Sequence, residues 1–361
     1  MRIIANPIRG KGLSDQAGFE TGTIVTNPKA ALNLMSQCPV GHTTPLLDKT
    51  ELADELGIAK LFIKDERGRM ELGSFKALGA AFAIAKQAAI RMEDLPSLTP
   101  ENSLSGTTFV CASAGNHGLS MAAGARVFGA TAVVYLSETV PESFAEKLRA
   151  KNAVVVREGT DYEASMDAAR KAAQDNDWQL LSDSSWLGYS EPARDVMEGY
   201  LIMGAEIGDQ LAEAPSHVFL QAGVGGLASA AAAMCRYLWQ DTPEIIVVEP
   251  SEAPCLIESI EAGKPVKTSG LVSNMGRLDC KEPSHLALRY LSKEADYFMT
   301  IDDEMAQSTC QWLKEFGLAS TPSGIAGIAG LKTVKEHDAL KSLTGSSTVL
   351  TFMSEEATGD D

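Results

Sequence analysis

At 361 residues, with 45% hydrophobic and 22% charged side chains, the chain is long enough for two lobes or one large α/β unit and has an ordinary globular composition. A formal net charge of −17, from 31 Lys and Arg against 48 Asp and Glu, argues against nucleic acid or an anionic membrane surface as partner, since both call for a basic face. The six cysteines are scattered with no CxxC pair, which suits neither a zinc site nor a disulfide framework and fits a reducing compartment. The opening "MRIIANPIRG" carries no apolar leader, and no run approaches the ~20 apolar residues of a membrane span, so a cytoplasmic protein is expected.

Strand and helix signals alternate along most of the chain. "KLFIKDE" (60–66) predicts a strand, "SFKALGAAFAIAKQAAIRM" (74–92) an Ala-rich helix, and "EDLPSLTPENSLSG" (93–106) a linker. The strand "TTFVCA" then runs through the turn "SAGNHG" into the helix "LSMAAGARVFG". After it come the strands "TAVVYLS", "AVVVREG" and "WQLLSD", separated by the helices "PESFAEKLRAKN" and "YEASMDAARKAAQD". A helix near 192–212 leads to "HVFLQAG" (strand), "GLASAAAAMCRYLWQ" (helix), "EIIVVEP" (strand) and "APCLIESIEAG" (helix), and the chain closes with "PSGIAGIAGLKTVKE" and the strand "STVLTFMSEE". Apolar, β-branched strands alternating with helices predict parallel sheets covered on both faces, with ligands at the carboxyl ends of the strands.

Three strand-to-helix turns carry unusual chemistry. In "GSFKALGA", Lys76 falls in the first turn of an apolar helix, where a cation opposes the macrodipole. Either it is a surface exception or an amine is needed there. The second turn, Ser113–Gly118, joins small residues to one amide and one imidazole. The third, "QAGVGGLAS" (221–229), places three glycines before a helix, where backbone N–H groups suit a phosphate. No Lys-Ser/Thr follows them, and the spacing is not the dinucleotide fingerprint. A lysine and a distant phosphate loop call for a cofactor with both an aldehyde and a phosphate. Pyridoxal phosphate is that cofactor, and desolvation in a buried pocket would lower the Lys76 pKa.

With "TPSGIAG" and "TVLTFMSEE" added, and in this order, residues 40–358 resemble the fold-type II pyridoxal-phosphate enzymes, the tryptophan synthase β-like superfamily. The stretches "LLSDSSWLGY", "EGYLIMGAEI", "VVEPSEAPCLIESIEAG" and "NMGRLDCKEPS" bring it nearest to the diaminopropionate ammonia-lyases. The resemblance implies a two-lobed α/β fold of parallel and mixed sheets, with the cofactor between the lobes and a homodimer as the assembly. Residues 1–97 and 183–361 would form the large domain and 98–182 the small one.

The resemblance also implies roles. Lys76 would hold the cofactor as a Schiff base and shuttle the α-proton, and Asn116 would bond the ring hydroxyl. Main-chain N–H groups of Gly223, Val224, Gly225, Gly226 and Leu227 would cradle the phosphate. Ser354 would face the pyridine nitrogen, a neutral partner that moderates the electron sink and favours elimination at Cβ. Ser113, Ala114, Gly115 and Asn116 would grip the substrate carboxylate. Asp183 matches the family's second acid and joins Lys76 as catalytic; no metal ligand is among the set. The ammonia-lyases usually carry an acid where this chain has Ala114, an acid thought to act on the D-isomer, so an L-substrate is expected.

The implied reaction is α,β-elimination from a small L-amino acid with a β leaving group, 2,3-diaminopropionate-like, giving a 2-oxo acid and ammonia. A serine/threonine or 3-hydroxyaspartate dehydratase or racemase, a β-replacement synthase, and a non-catalytic cofactor- or small-molecule-binding protein stay open beside it. Plainer readings apply to several residues. His117 reads as a packed turn histidine, Trp186 and Tyr189 as core aromatics, Ser323 as a helix cap, and Cys111 and Cys280 as small buried hydrophobes. Asp183 could equally cap a helix. Arg277 and Asp279, in the weakly periodic stretch 267–284, are candidates for selecting substrate.

Overall fold

A computed structural model describes residues 1–357. Its strands, in chain order, are β1 (Arg2–Ala5), β2 (Leu46–Asp48), β3 (Lys60–Asp65), β4 (Thr108–Ala112), β5 (Thr131–Leu136), β6 (Val154–Arg157), β7 (Gln179–Leu180), β8 (His217–Gln221), β9 (Glu244–Pro250), β10 (Tyr297–Ile301) and β11 (Thr348–Met353). They form a seven-stranded sheet ordered β1-β10-β9-β8-β11-β3-β2 and a four-stranded sheet ordered β6-β5-β4-β7. Helices separate most of them, as an α/β fold requires.

The smaller sheet is parallel throughout. The inner run of the larger one, from β10 to β3, is parallel too, but its edges β1 and β2 are antiparallel to β10 and β3. Neither edge strand has a sequence signal, because both are short and no residue of either is buried. Central strands behave differently. Every residue of β8 is buried, the pattern of a strand covered on both faces. Val218 and Leu220 enter one apolar cluster while Phe219 enters another, which fills the layers on either side of the sheet. No helix among the described residues is long and apolar enough to cross a membrane.

The helix expected over 74–92 is two elements, a 3₁₀ turn Phe75–Leu78 and the α-helix Gly79–Asp94. Lys76 therefore precedes the α-helix instead of occupying its first turn, and the Ser74 hydroxyl accepts its N–H at 3.3 Å.

A buried ion cluster holds the approach to this turn. Lys64 Nζ donates to Glu206 (2.7 Å), Thr44 O (2.8 Å) and Gln210 (2.9 Å), which uses all three of its protons. Arg69 bonds both Glu66 and Glu206, each at 2.7 Å, with its side chain fully buried. Burial works against the Glu206 charge, but Arg69 and Lys64 hold its carboxyl below the usual range. The next residues, Met70 and Glu71, have φ of 49° and 57°, a left-handed backbone that side chains disfavour.

Candidate active site

Five strand ends converge on one place. In the large sheet β8, β11 and β3 are neighbours, so the glycine loop after β8, Ser354 after β11 and Lys76 after β3 come together. In the small sheet β4 and β7 are neighbours, which sets the 113–116 turn beside Asp183. All of these segments leave carboxyl ends of parallel strands, where such sheets bind ligands.

Lys76 Nζ meets the Asp183 carboxylate from the other sheet. Burial alone would lower the amine's pKa, as the sequence reading expects. The Asp183 charge overrides it and holds the amine well above its ordinary value. Asp183 in turn is held below the carboxylate range: burial opposes its charge, but Lys76 and His117 outweigh it. The amine also lies 5.2 Å from the Phe75 ring centroid and 5.6 Å from that of Tyr200.

The loop Gly223–Leu227 leads into the helix Gly226–Trp239. Gly225 has φ of 99°, a conformation open to glycine at little cost. Among the described residues, the N–H groups of Gly223, Gly225, Gly226 and Leu227 meet no protein acceptor, and the helix dipole adds to their pull on an anion. Cys280, expected as a core filler, is only partly buried and stands over this loop; a Cβ on Gly223 would lie 2.9 Å from its Sγ.

Asn116 begins the helix Asn116–Val127, and its Nδ2 donates to Glu355 at 2.6 Å. Thr321 Oγ1 donates to the other Glu355 oxygen at 2.6 Å. Burial pushes this carboxyl above the usual range, although Arg277 pulls it back. Glu355 is a site residue that sequence reasoning missed; its one signal was an acid directly after a buried apolar strand. Ser354 is buried at that strand's end, held by main-chain bonds to Gly324 and Phe75, and its Oγ has no protein partner among the described residues.

The 113–116 turn is self-bonded. Ser113 Oγ accepts from Gly115 N (3.3 Å) and Gly118 N (3.1 Å), while the N–H groups of Ala114, Asn116 and His117 meet no protein acceptor among the described residues. His117 is a packed histidine: its Nε2 donates to Leu181 O at 2.8 Å, which ties the turn to the segment carrying Asp183. Trp186 and Tyr189 stack at 4.2 Å, and the Tyr189 hydroxyl accepts from Ser182 N and donates to Leu180 O, so they brace that segment. Asp183 caps no helix; its carboxylate goes to Lys76. Ser323 does not cap the helix that follows either. Its hydroxyl accepts from Arg277 N at 3.0 Å and fastens the irregular segment to the site.

These features fit pyridoxal phosphate. An amine, a row of N–H groups without protein acceptors at a helix N-terminus, and an amide and a hydroxyl are the kinds of donor that the aldehyde, the phosphate and the polar ring atoms of such a group call for.

Comparison with known proteins gives the same picture. The model of the family "Pyridoxal-phosphate dependent enzyme" matches residues 39–355. The chain is 34% identical over 280 residues to the diaminopropionate ammonia-lyase of Salmonella typhimurium, covering 73% of this chain and 69% of that one. It is 29% identical over 315 residues to the Escherichia coli K12 enzyme of the same name, covering 83% and 79%. The crystal structure of holo diaminopropionate ammonia lyase from Escherichia coli superposes with a TM-score of 0.85 at 26% identity, over 98% of this chain and 93% of that one.

Proposed function

The chain belongs to the pyridoxal-phosphate dependent enzymes, and we propose that within them it is an ammonia-lyase acting on a small L-amino acid such as 2,3-diaminopropionate. The observation that carries this reading is the Lys76–Asp183 pair, an amine and a carboxylate in contact beside a loop suited to phosphate and a turn suited to carboxylate.

Bound pyridoxal phosphate supplies an aldehyde that links to amines and a ring that takes up the electron pair left by the α-proton. Lys76 would hold it and would take the α-proton of the substrate. Asp183, a carboxylate in contact with that amine, would relay to the departing β-substituent the proton that Lys76 has taken from the substrate, and would keep the amine oriented. Asn116 would hold the ring hydroxyl, Ser354 would be the neutral partner of the pyridine nitrogen, and the main chain from Gly223 to Leu227 would hold the phosphate. The 113–116 turn holds the substrate carboxylate. Overall, 2,3-diaminopropionate and one water give a 2-oxo acid and two molecules of ammonia. Ala114 offers no base on its face of the substrate, which favours the L-isomer. Residues 98–182, around the four-stranded sheet, are taken as the smaller lobe, and the enzyme as a cytoplasmic homodimer.

The test is a visible absorption spectrum of the purified enzyme, followed by addition of L- and D-2,3-diaminopropionate, serine, threonine and 3-hydroxyaspartate. Ammonia and 2-oxo acid are assayed in parallel. A visible band that shifts with L-2,3-diaminopropionate, with ammonia released, supports the proposal. A band without ammonia from any of them overturns the lyase reading in favour of a binding protein. Trapping of the product by added thiol would make the enzyme a β-replacement synthase instead.

A further inference from the structure

The hydroxyl assigned to the substrate carboxylate is spent inside its own turn. Ser113 Oγ accepts two N–H groups and lies 3.4 Å from Gly115 O, within reach to donate there. What remains to the turn is neutral main-chain N–H. A cation comes to it from elsewhere in the chain. Arg277, in the stretch 267–284, donates from Nη1 to Ala114 O at 3.0 Å. The same nitrogen would lie 3.2 Å from a Cβ on Gly115, so a glycine there admits the guanidinium against the backbone.

Arg277 is anchored on its far side as well. Its main-chain N–H bonds Ser323 Oγ, and its Nε stands 3.8 Å from Glu355 Oε2, the oxygen that accepts from Asn116. Of its five N–H donors, one is bonded to a protein acceptor among the described residues, and the side chain is 40% exposed. Other nearby cations are committed: Lys76 to Asp183, and Lys281 to Asp279, Glu252 O and Leu271 O. Arg277 therefore has spare donors in a fork geometry that matches a carboxylate.

We propose that Arg277 is the charged partner of the substrate's α-carboxylate, completing a site of which the 113–116 turn supplies only neutral donors. The inference rests on the amino-acid-processing reading above but not on elimination. Glu355 holds the guanidinium in place and links it to Asn116.

The experiment titrates the cofactor-loaded enzyme with L-alanine, which has no β leaving group, and follows the visible band. Arg277→Gln should weaken L-alanine binding by about ten- to a hundredfold and raise KM for every eliminated substrate by a similar factor. The resting spectrum and the cofactor affinity should not change, which also reports that the variant is folded. Arg277→Lys, which keeps charge without the fork, should recover part of the loss. L-alaninamide should bind wild type poorly, and the preference for L-alanine over it should collapse in Arg277→Gln. Unchanged L-alanine binding in Arg277→Gln overturns the proposal. So does a loss confined to 3-hydroxyaspartate, which would mean that Arg277 reads a side-chain anion. Arginine-dependent L-alanine binding with no ammonia from any substrate would leave this inference standing and remove the lyase reading.

Discussion

Lys76 Nζ donates to the Asp183 carboxylate, and this one contact joins the turn after β3 in the seven-stranded sheet to the end of β7 in the four-stranded sheet. The pair raises the amine's pKa and lowers the acid's, so before the cofactor arrives the lysine is an ammonium rather than the free amine that attacks an aldehyde.

Replacing Asp183 should therefore separate two effects. In Asp183→Asn the amine loses the charge that holds it protonated, and cofactor-free enzyme should bind pyridoxal phosphate faster near neutral pH. Turnover should fall by about a hundredfold or more, the scale of a lost acid–base group. Stopped-flow reconstitution against pH and steady-state ammonia assays check the two. Slower reconstitution together with unchanged turnover would show that Asp183 does neither.

The same pair sets a pH window for stability in the cofactor-free protein. Asp183 is depressed below its ordinary value of 3.8, so its contribution is present above that pH and is lost as pH falls through the folded value. Lys76 is raised above 10.5, so its contribution is present below that pH and is lost as pH rises through the folded value. The difference in Tm between wild type and Asp183→Asn should be flat from about pH 5 to 9 and shrink on the acid side. Scanning calorimetry across that range measures it.

Gly225→Ala should act on the cofactor rather than on the chemistry. At φ of 99° an alanine is strained, and its Cβ would come within 3.1 Å of Ala287 Cβ. The loop would have to turn its N–H groups away to relieve this, at a cost of about 1–2 kcal/mol. The Kd for pyridoxal phosphate should rise roughly tenfold, since 1.4 kcal/mol is one decade. Equilibrium titration of the visible band reads it, and kcat at saturating cofactor should change little.

Glu206→Gln tests the buried ion cluster. It would leave Lys64 and Arg69 underpaired in a site closed to water, so unfolding free energy should drop by about 3–5 kcal/mol. Denaturant unfolding checks this. Because the cluster precedes Lys76 in the chain without touching it, molecules that remain folded should keep most of their activity.

Much of this protein was legible along the chain because its signals are local. The buried runs of β8 and β9, the glycines before the helix Gly226–Trp239 and the lysine after Gly73-Ser74 are each confined to a few neighbouring residues, and backbone preference and periodicity act at that range. The edge strands β1 and β2 were silent, since with no residue buried neither carries a pattern. Glu355 was just as hidden. It lies 239 residues from Asn116, and a carboxylate after a strand reads as solvent-facing until a partner closes over it.

The amino-acid sequence by itself determined the alternation of strands and helices, the lysine, the glycine-rich loop and so the class of chemistry. Only the tertiary structure decided their electrostatics. It kept Lys76 a cation against burial by bringing Asp183 to it, spent the Ser113 hydroxyl on its own turn, and set the Arg277 guanidinium against Gly115. The physical reason is that charge and hydrogen-bond partners act through a few ångströms of space, and the residues that meet there are separated by 107 positions for Lys76 and Asp183 and 163 for Ala114 and Arg277.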